Sequence, residues 1–520
     1  MRKKYTCTLL VCVITTLIVR AQENIDISVI EKIRQEEAQH SQVMDIAFHL
    51  TDISGPRLTG SPGFMRAATY ARQQLEDWGL VNSTLDSWGE FGKSWELQKS
   101  YVALKAPYYK PINAFPKAWC GGTNGLQNAE VLLITSKDSA GLDAFRGKLA
   151  GKILIVERDF SYHQTFDADA KRLTDAELDS MANITSNNID TAAQRRRRES
   201  FQRMNPSQSM INELKKIAKQ EGAIAVLSMS QLGHDGTLFV QGGGSYKTND
   251  PENFLDIQIG MEDYMTIIRL LKAAVPVSME LDVATKFFAD DTKAYNVIAE
   301  IPGTDPRLKD EVVMLGAHLD SWQGATGATD NAAGCAVMME AVRILRTLNL
   351  QPKRTIRIAL WSGEEEGLLG SKGYVKKTFG DPAAMQFLPA HEKFDTYFNI
   401  DNGTGKIRGI YLQGNEACRN IFSEWLQPFN ADGAKTITIS NTGGTDHQSF
   451  DALGLPAFQF IQDPIEYFTR THHTTADSYD HLIPGDLKQI ATIVAAFVYN
   501  AAQRNDKLPR KPLPKPVAGH

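Results

Sequence analysis

An α/β fold is what the sequence predicts, and three observations predict it. After Asn296, strand-like apolar runs alternate with helix-like runs, the pattern of a layered α/β domain. Histidine, aspartate and glutamate residues stand at or just past the ends of those runs, where an open α/β sheet gathers its active-site groups. The chain has 520 residues, 42% of them hydrophobic, which is enough for a large core and more than one ordinary domain, so two domains are expected.

Residues 1–21 begin with Arg2, Lys3 and Lys4, run through an apolar stretch from Leu9 to Val19, and end in Val19-Arg20-Ala21. That stretch is too short to span a bilayer and reads as a cleavable signal peptide, so export to the periplasm or cell exterior is expected, with no stable membrane insertion afterwards. Residues 22–121 form the first part of the catalytic domain, with amphipathic helices between Ile27 and Leu80 broken by the turn-rich SGPRLTGSPG. Residues 122–285 read as an inserted domain with strands at VLLI, KILIVE and AIAVLSM, and its polar stretch 160–210 reads as loop.

Residues 286–505 return to the catalytic domain. Strands are expected at VVMLGA, TIRIALW, TYFNI, IRGIYLQG and PAFQFI, and helices at AAGCAVMMEAVRILRTL, GLLGSKGYVKKTF, 415–428 and 485–503. Residues 506–520, rich in Pro and Lys, read as a disordered tail.

A formal charge of −5 gives no broad basic surface for nucleic acid, and the run Arg195 to Arg198 reads as a solvated face. Cys7 and Cys12 leave with the signal. The remaining Cys120, Cys335 and Cys418 have no spacing for a thiolate zinc site or a disulfide framework. A Cys120–Cys418 bridge stays open, and Cys335 reads as a buried apolar residue. The chain has no G-x-S-x-G elbow, and His391-Glu392-Lys393-Phe394-Asp395 lacks the second histidine of H-E-x-x-H.

His318 in GAHLDS, Asp330 in GATDNAAG, Glu365 in SGEEEGLLGS, Asp401 in NIDNG and His473 in HHTTADS are the donor types zinc takes. Two divalent ions carry four positive charges. Three carboxylates and one bridging hydroxide neutralise them, and such a pair can activate water for attack on a carbonyl. Glu364, beside Glu365, suits a general base that moves the water proton to a leaving amine. Asp320 can accept the ring N–H of His318, and Asp477 can play a related part near His473. Each residue has a plainer reading. Asp330 can cap a helix, Asp401 can sit in a turn, Glu364 to Glu366 can form a solvated first turn, and His472 and His473 can lie on the surface. Five such coincidences in one strand-end order weigh against that set.

These blocks, with TDHQSF, resemble the co-catalytic dizinc exopeptidase family of leucyl aminopeptidases, glutamate carboxypeptidases and glutaminyl cyclases; GEE-x-GL-x-GS at 363–371 is the most specific. The resemblance implies a three-layer fold with a mixed central sheet and a protease-associated, β-rich insert that shapes access or homodimer contacts. It implies two Zn(2+) ions, one on His318 and Asp401, the other on Glu365 and His473, with Asp330 bridging and Glu364 as base. It further implies a peptide substrate, with the layout nearest the carboxypeptidase branch. An aminopeptidase, a glutaminyl cyclase and a non-catalytic receptor-like protein are the alternatives. Where relatives carry an oxyanion-binding tyrosine before the last ligand, this chain has His472, and Asp446 and His447 are expected to line the substrate pocket.

Overall fold

The computed structural model describes residues 23, 25–158, 160, 162, 164–185 and 208–514. The expected signal peptide and the Arg195–Arg198 run lie outside the described residues. Among the described residues, no helix is long and apolar enough to cross a membrane.

Eight strands make the main sheet, in the order Val81–Glu90, Lys293–Ile301, Thr355–Trp361, Val312–His318, Phe394–Asn399, Ala457–Gln462, Ile407–Tyr411 and Thr436–Thr438. The four strands from Thr355–Trp361 to Ala457–Gln462 are parallel, so their C-terminal ends share one edge. Antiparallel strands flank them, which makes the sheet mixed, as expected.

Helices cover both faces, and the strand alternation explains how. Val313, Leu315 and Ala317 pack into one core with helices Ile27–His40, Pro62–Asp77, Ala333–Thr347 and Pro484–Gln503. Val312 and Met314 turn to the other side, against Leu369–Thr378 and His447–Asp451. A strand buried on both faces has no polar side to show, hence the unbroken apolar run. Local signals start the helices: Asp26 accepts from the Ser28 and Val29 amides, and Ser61 caps Phe64 N with Pro62 at the first position.

A second eight-stranded sheet takes its strands from residues 94–288. Its long pair Ser94–Ala106 and Ser278–Phe288 is antiparallel, and the strands Gln127–Ile134, Ile153–Val156, Ala225–Ser228 and Asp256–Ile259 run parallel. This second sheet begins at Ser94, ahead of the residue 122 expected for the start of the insert. The stretch read as loop also holds a helix, Asp175–Ala182, started by a capping box between Thr174 and Glu177. The two bodies meet at an aromatic cluster that includes Phe91, Trp95, Trp119 and Trp322, with Tyr246 stacked on Phe91 at 4.4 Å.

The expected disordered tail is corrected as far as Pro514; residues 515–520 lie outside the described residues. Leu508 is buried and donates its N–H to Asp395, while Arg510 donates to the His391 and Phe394 carbonyls. Apolar burial and charged donors over strand-end carbonyls outweigh the proline-rich composition. Cys120 and Cys418 are free and buried in different cores, so the bridge left open in the sequence is not formed.

Beneath the first helices, Glu37 faces Glu340, which Arg343 grips through two guanidinium nitrogens. Burial, then the Glu340 carboxylate, pushes Glu37 up to about 9. A raised acid pKa favours the fold while the group is protonated. Its contribution is full below the ordinary glutamate value of about 4.5 and falls away as pH rises to about 9. Glu37→Gln keeps a donor toward Glu340 at every pH, so its melting temperature relative to wild type is expected to rise between pH 5 and 9. Parallel stability profiles for the two proteins would contradict the assignment.

Candidate metal centre

The shared strand edge explains why residues far apart in sequence meet. His318 ends its strand, Asp320 follows it, Glu364 and Glu365 follow Thr355–Trp361, and Asp401 follows Phe394–Asn399. Asp330 comes from the turn leading into helix Ala333–Thr347, and His473 from the loop after Ala457–Gln462. All five expected ligands and Glu364 stand in one cluster.

Asp330 lies at its middle. Its Oδ1 is 3.3 Å from His318 Nε2, and its Oδ2 is 3.2 Å from His473 Nε2. Asp401 joins the first histidine at 3.4 Å and Glu365 the second at 3.0 Å, giving two donor sets that share one carboxylate. Glu364 is 4.0 Å from His318 Nε2. Asp330 Oδ2, Glu365 Oε1 and Asp401 Oδ1 are buried without a well-directed hydrogen bond, though two of them face imidazole nitrogens at 3.2 and 3.4 Å. Buried carboxylate oxygens facing imidazole nitrogens without hydrogen-bond geometry are the donor arrangement that divalent cations satisfy.

The electrostatics agree. Burial opposes charge on His318, but the Asp401 and Glu364 carboxylates outweigh it and hold its pKa well above the ordinary imidazole value. Burial also opposes charge on His473, and Glu365 and Asp330 raise it to about 10. Burial likewise pushes Glu364 well up, with His318 opposing, and Glu365 up to about 7, with His473 opposing. Asp330 goes the other way: its pairing with both histidines overcomes burial and holds it well below the usual carboxylate range.

Asp320 and Asp477 serve different partners from those expected. His318 Nδ1 meets the backbone carbonyl of Asp320 at 3.0 Å, and the Asp320 carboxylate stands 3.8 Å away. That carboxylate accepts from the Glu364 and Glu365 amides and the Thr59 hydroxyl, fixing the bend that carries Glu364 and Glu365. Asp477 accepts from the Thr329 and Asp330 amides, so it fixes Asp330 and not His473.

His472 stacks on His473 with ring centres 3.7 Å apart, and burial pushes it down to about 4. Asp446 lies buried near the cluster, pushed up to about 7 by burial with His318 opposing. His447 turns to the Thr442 carbonyl, and burial lowers it to about 4. Both are buried.

Arg57, Thr59, Gln241, Trp322 and Tyr467 also shape the site, and sequence reasoning assigned none of them a role. Arg57 is fully buried and donates to the carbonyls of Leu50, Leu319, Thr326 and Gly327, tying together the turns before Asp320 and Asp330. Each carbonyl left without a donor would cost about 1–3 kcal/mol. Tyr467 is buried against the cluster, and burial with Asp330, Asp401 and Glu365 raises its phenol well above the usual value. Trp322 stands edge-on to His473 at 6.2 Å. Of these, only Arg57 carried a local signal, as a charged residue inside a rigid Gly/Pro turn.

The model of peptidase family M28 matches residues 296–498. Carboxypeptidase Q of Mus musculus is 26% identical over 471 residues, spanning 89% of this chain and 86% of that protein. A solved peptidase M28 precursor from Shewanella amazonensis is 26% identical with a TM-score of 0.66, covering 94% of this chain and 98% of its own. A zinc aminopeptidase from Bacillus subtilis, 19% identical, covers 89% of this chain and 95% of its own with a TM-score of 0.57, a likeness of fold. Residues 296–498 are therefore similar to peptidase family M28, relatives across most of the chain are peptidases, and the chain is a metallopeptidase.

Proposed function

We propose that the chain is an exported two-zinc exopeptidase that hydrolyses dipeptides or short peptides at a free carboxyl end. The observation that carries this reading is Asp330, with one oxygen toward His318 and the other toward His473. His318 and Asp401 would hold one ion, Glu365 and His473 the other, and Asp330 both. Zinc is supported by the histidine-carboxylate donor set and by the zinc aminopeptidase that shares the fold. The carboxypeptidase choice rests on the similarity to carboxypeptidase Q across most of the chain. Export is proposed on the pattern of residues 1–21 alone.

When bound, the ions supply Lewis acidity that polarises the scissile carbonyl and lowers the pKa of water. The chain's own residues do the rest. Glu364, buried beside the cluster, has the raised proton affinity a general base needs; it takes the proton of the attacking water and delivers it to the leaving amine. Asp320 holds Glu364 in place through its amide, and Asp477 does the same for Asp330. Trp322 and Phe239 flank His473 with their rings.

Glu364→Gln should keep two metal equivalents by elemental analysis while turnover of a dipeptide falls roughly a hundred- to ten-thousand-fold, the range for a lost acid–base group. Unchanged turnover at full metal content would remove Glu364 from the chemistry. Asp330→Ala is expected to lose at least one metal equivalent together with activity, and two tightly held ions in that variant would exclude a bridge. On dipeptides blocked at one end, cleavage should survive N-acetylation and vanish on C-amidation. The reverse pattern would assign the enzyme to the aminopeptidases.

A further inference from the structure

His318 and His473 can each offer Nε2 to the cluster only if Nδ1 carries the ring proton and finds an acceptor. For His318 that acceptor is local, the Asp320 carbonyl two residues away. For His473 the group at Nδ1 is the side-chain amide of Gln241, 3.0 Å away and 232 positions distant in sequence. Gln241 belongs to the inserted body, so one ligand of the metal centre is oriented from outside the catalytic domain.

We propose that Gln241 is the positioning residue for His473, and that the inserted body thereby completes the metal centre. The proposal rests on the two-zinc reading above. The oxygen and nitrogen of an amide exchange places by a half turn. With the Gln241 oxygen toward the ring, it accepts Nδ1–H and leaves the Nε2 lone pair facing Asp330 and Glu365, at 3.2 and 3.0 Å.

The surrounding backbone holds Gln241 in register. Val240 N donates to the His473 carbonyl at 2.9 Å, and Thr475 N donates to the Leu238 carbonyl at 2.9 Å, a short antiparallel pairing between the two bodies. His473 needs that support because its φ of 59° lies in the left-handed region that non-glycine residues seldom occupy. On the other side, the Gln241 carbonyl accepts from Ala118 N and from the Gln323 amide. The chain then passes through Gly243 and Gly244, where an added Cβ would come within 2.3 Å of Cys120 Sγ and 2.1 Å of Asn253. A residue with any side chain at those two positions would push the segment, and Gln241 with it, off His473.

The test is zinc titration of the full chain against a competing chromogenic chelator. Wild type is expected to bind two zinc ions. Gln241→Met keeps the length of the side chain but cannot accept, and Gln241→Asn keeps the amide but withdraws it. Both should weaken one of the two sites about 10- to 100-fold and leave the other unchanged. Gln241→Glu restores an acceptor and should retain both affinities, with the melting temperature of the metal-free protein close to wild type in all three. If Gln241→Met binds both ions as wild type does, or Gln241→Glu loses as much as Gln241→Met, Gln241 does not position His473. Wild type binding fewer than two ions would instead overturn the two-zinc reading, and this inference with it.

Discussion

A carboxylate that faces two histidines at once sets the terms for the rest of the molecule. Asp330 is buried, and its oxygens look toward His318 and His473 from opposite sides. Glu364, Glu365 and Asp401 crowd the same few ångströms, and Asp320 and Asp446 lie buried around them, with Glu366 half-buried. Taking an ion out of water costs several kcal/mol even after relaxation, more than a typical hydrophobic contact returns. Neutralising this negative charge is therefore the dominant local requirement, and a peptidase can use the same concentration of charge to grip cations.

Geometry follows from that requirement. Four parallel strands deliver their polar ends to one edge, and two covered faces keep the sheet from shifting to relieve the repulsion. What remains is to fix the turns, and neutral dipoles do most of it. Asp320 and Asp477 are satisfied by backbone amides and hydroxyls, and Arg57 spends its charge on four carbonyls. A guanidinium there keeps the turns before Asp320 and Asp330 in fixed relation, a form of preorganisation.

Much of the catalytic half was legible in the sequence because its signals are local. A strand buried on both faces, such as VVMLGA, is a continuous apolar run, and a histidine or acid at its end has few structural reasons to be there. The inserted body was harder to delimit. Its first strand, SWELQKSYVALKA, mixes buried, half-buried and exposed positions and carries charge along its length, so no apolar run announces it. The docked tail and the roles of Arg57 and Gln241 arise from partners more than a hundred positions away, which no window of sequence displays. For Asp320 the residue was identified and its partner was not: the choice between a backbone carbonyl and a carboxylate as the acceptor for His318 depends on a turn whose path is set by folding.

The short pairing of residues 238–240 with 473–475, beside the aromatic seam of Trp119 and Trp322, has a consequence for how peptides come and go. Were the two bodies to swing apart like a clamshell on each turnover, the catalytic loop would be unzipped and then rebuilt every cycle. The pairing instead ties the two sheets together at the loop that carries His473.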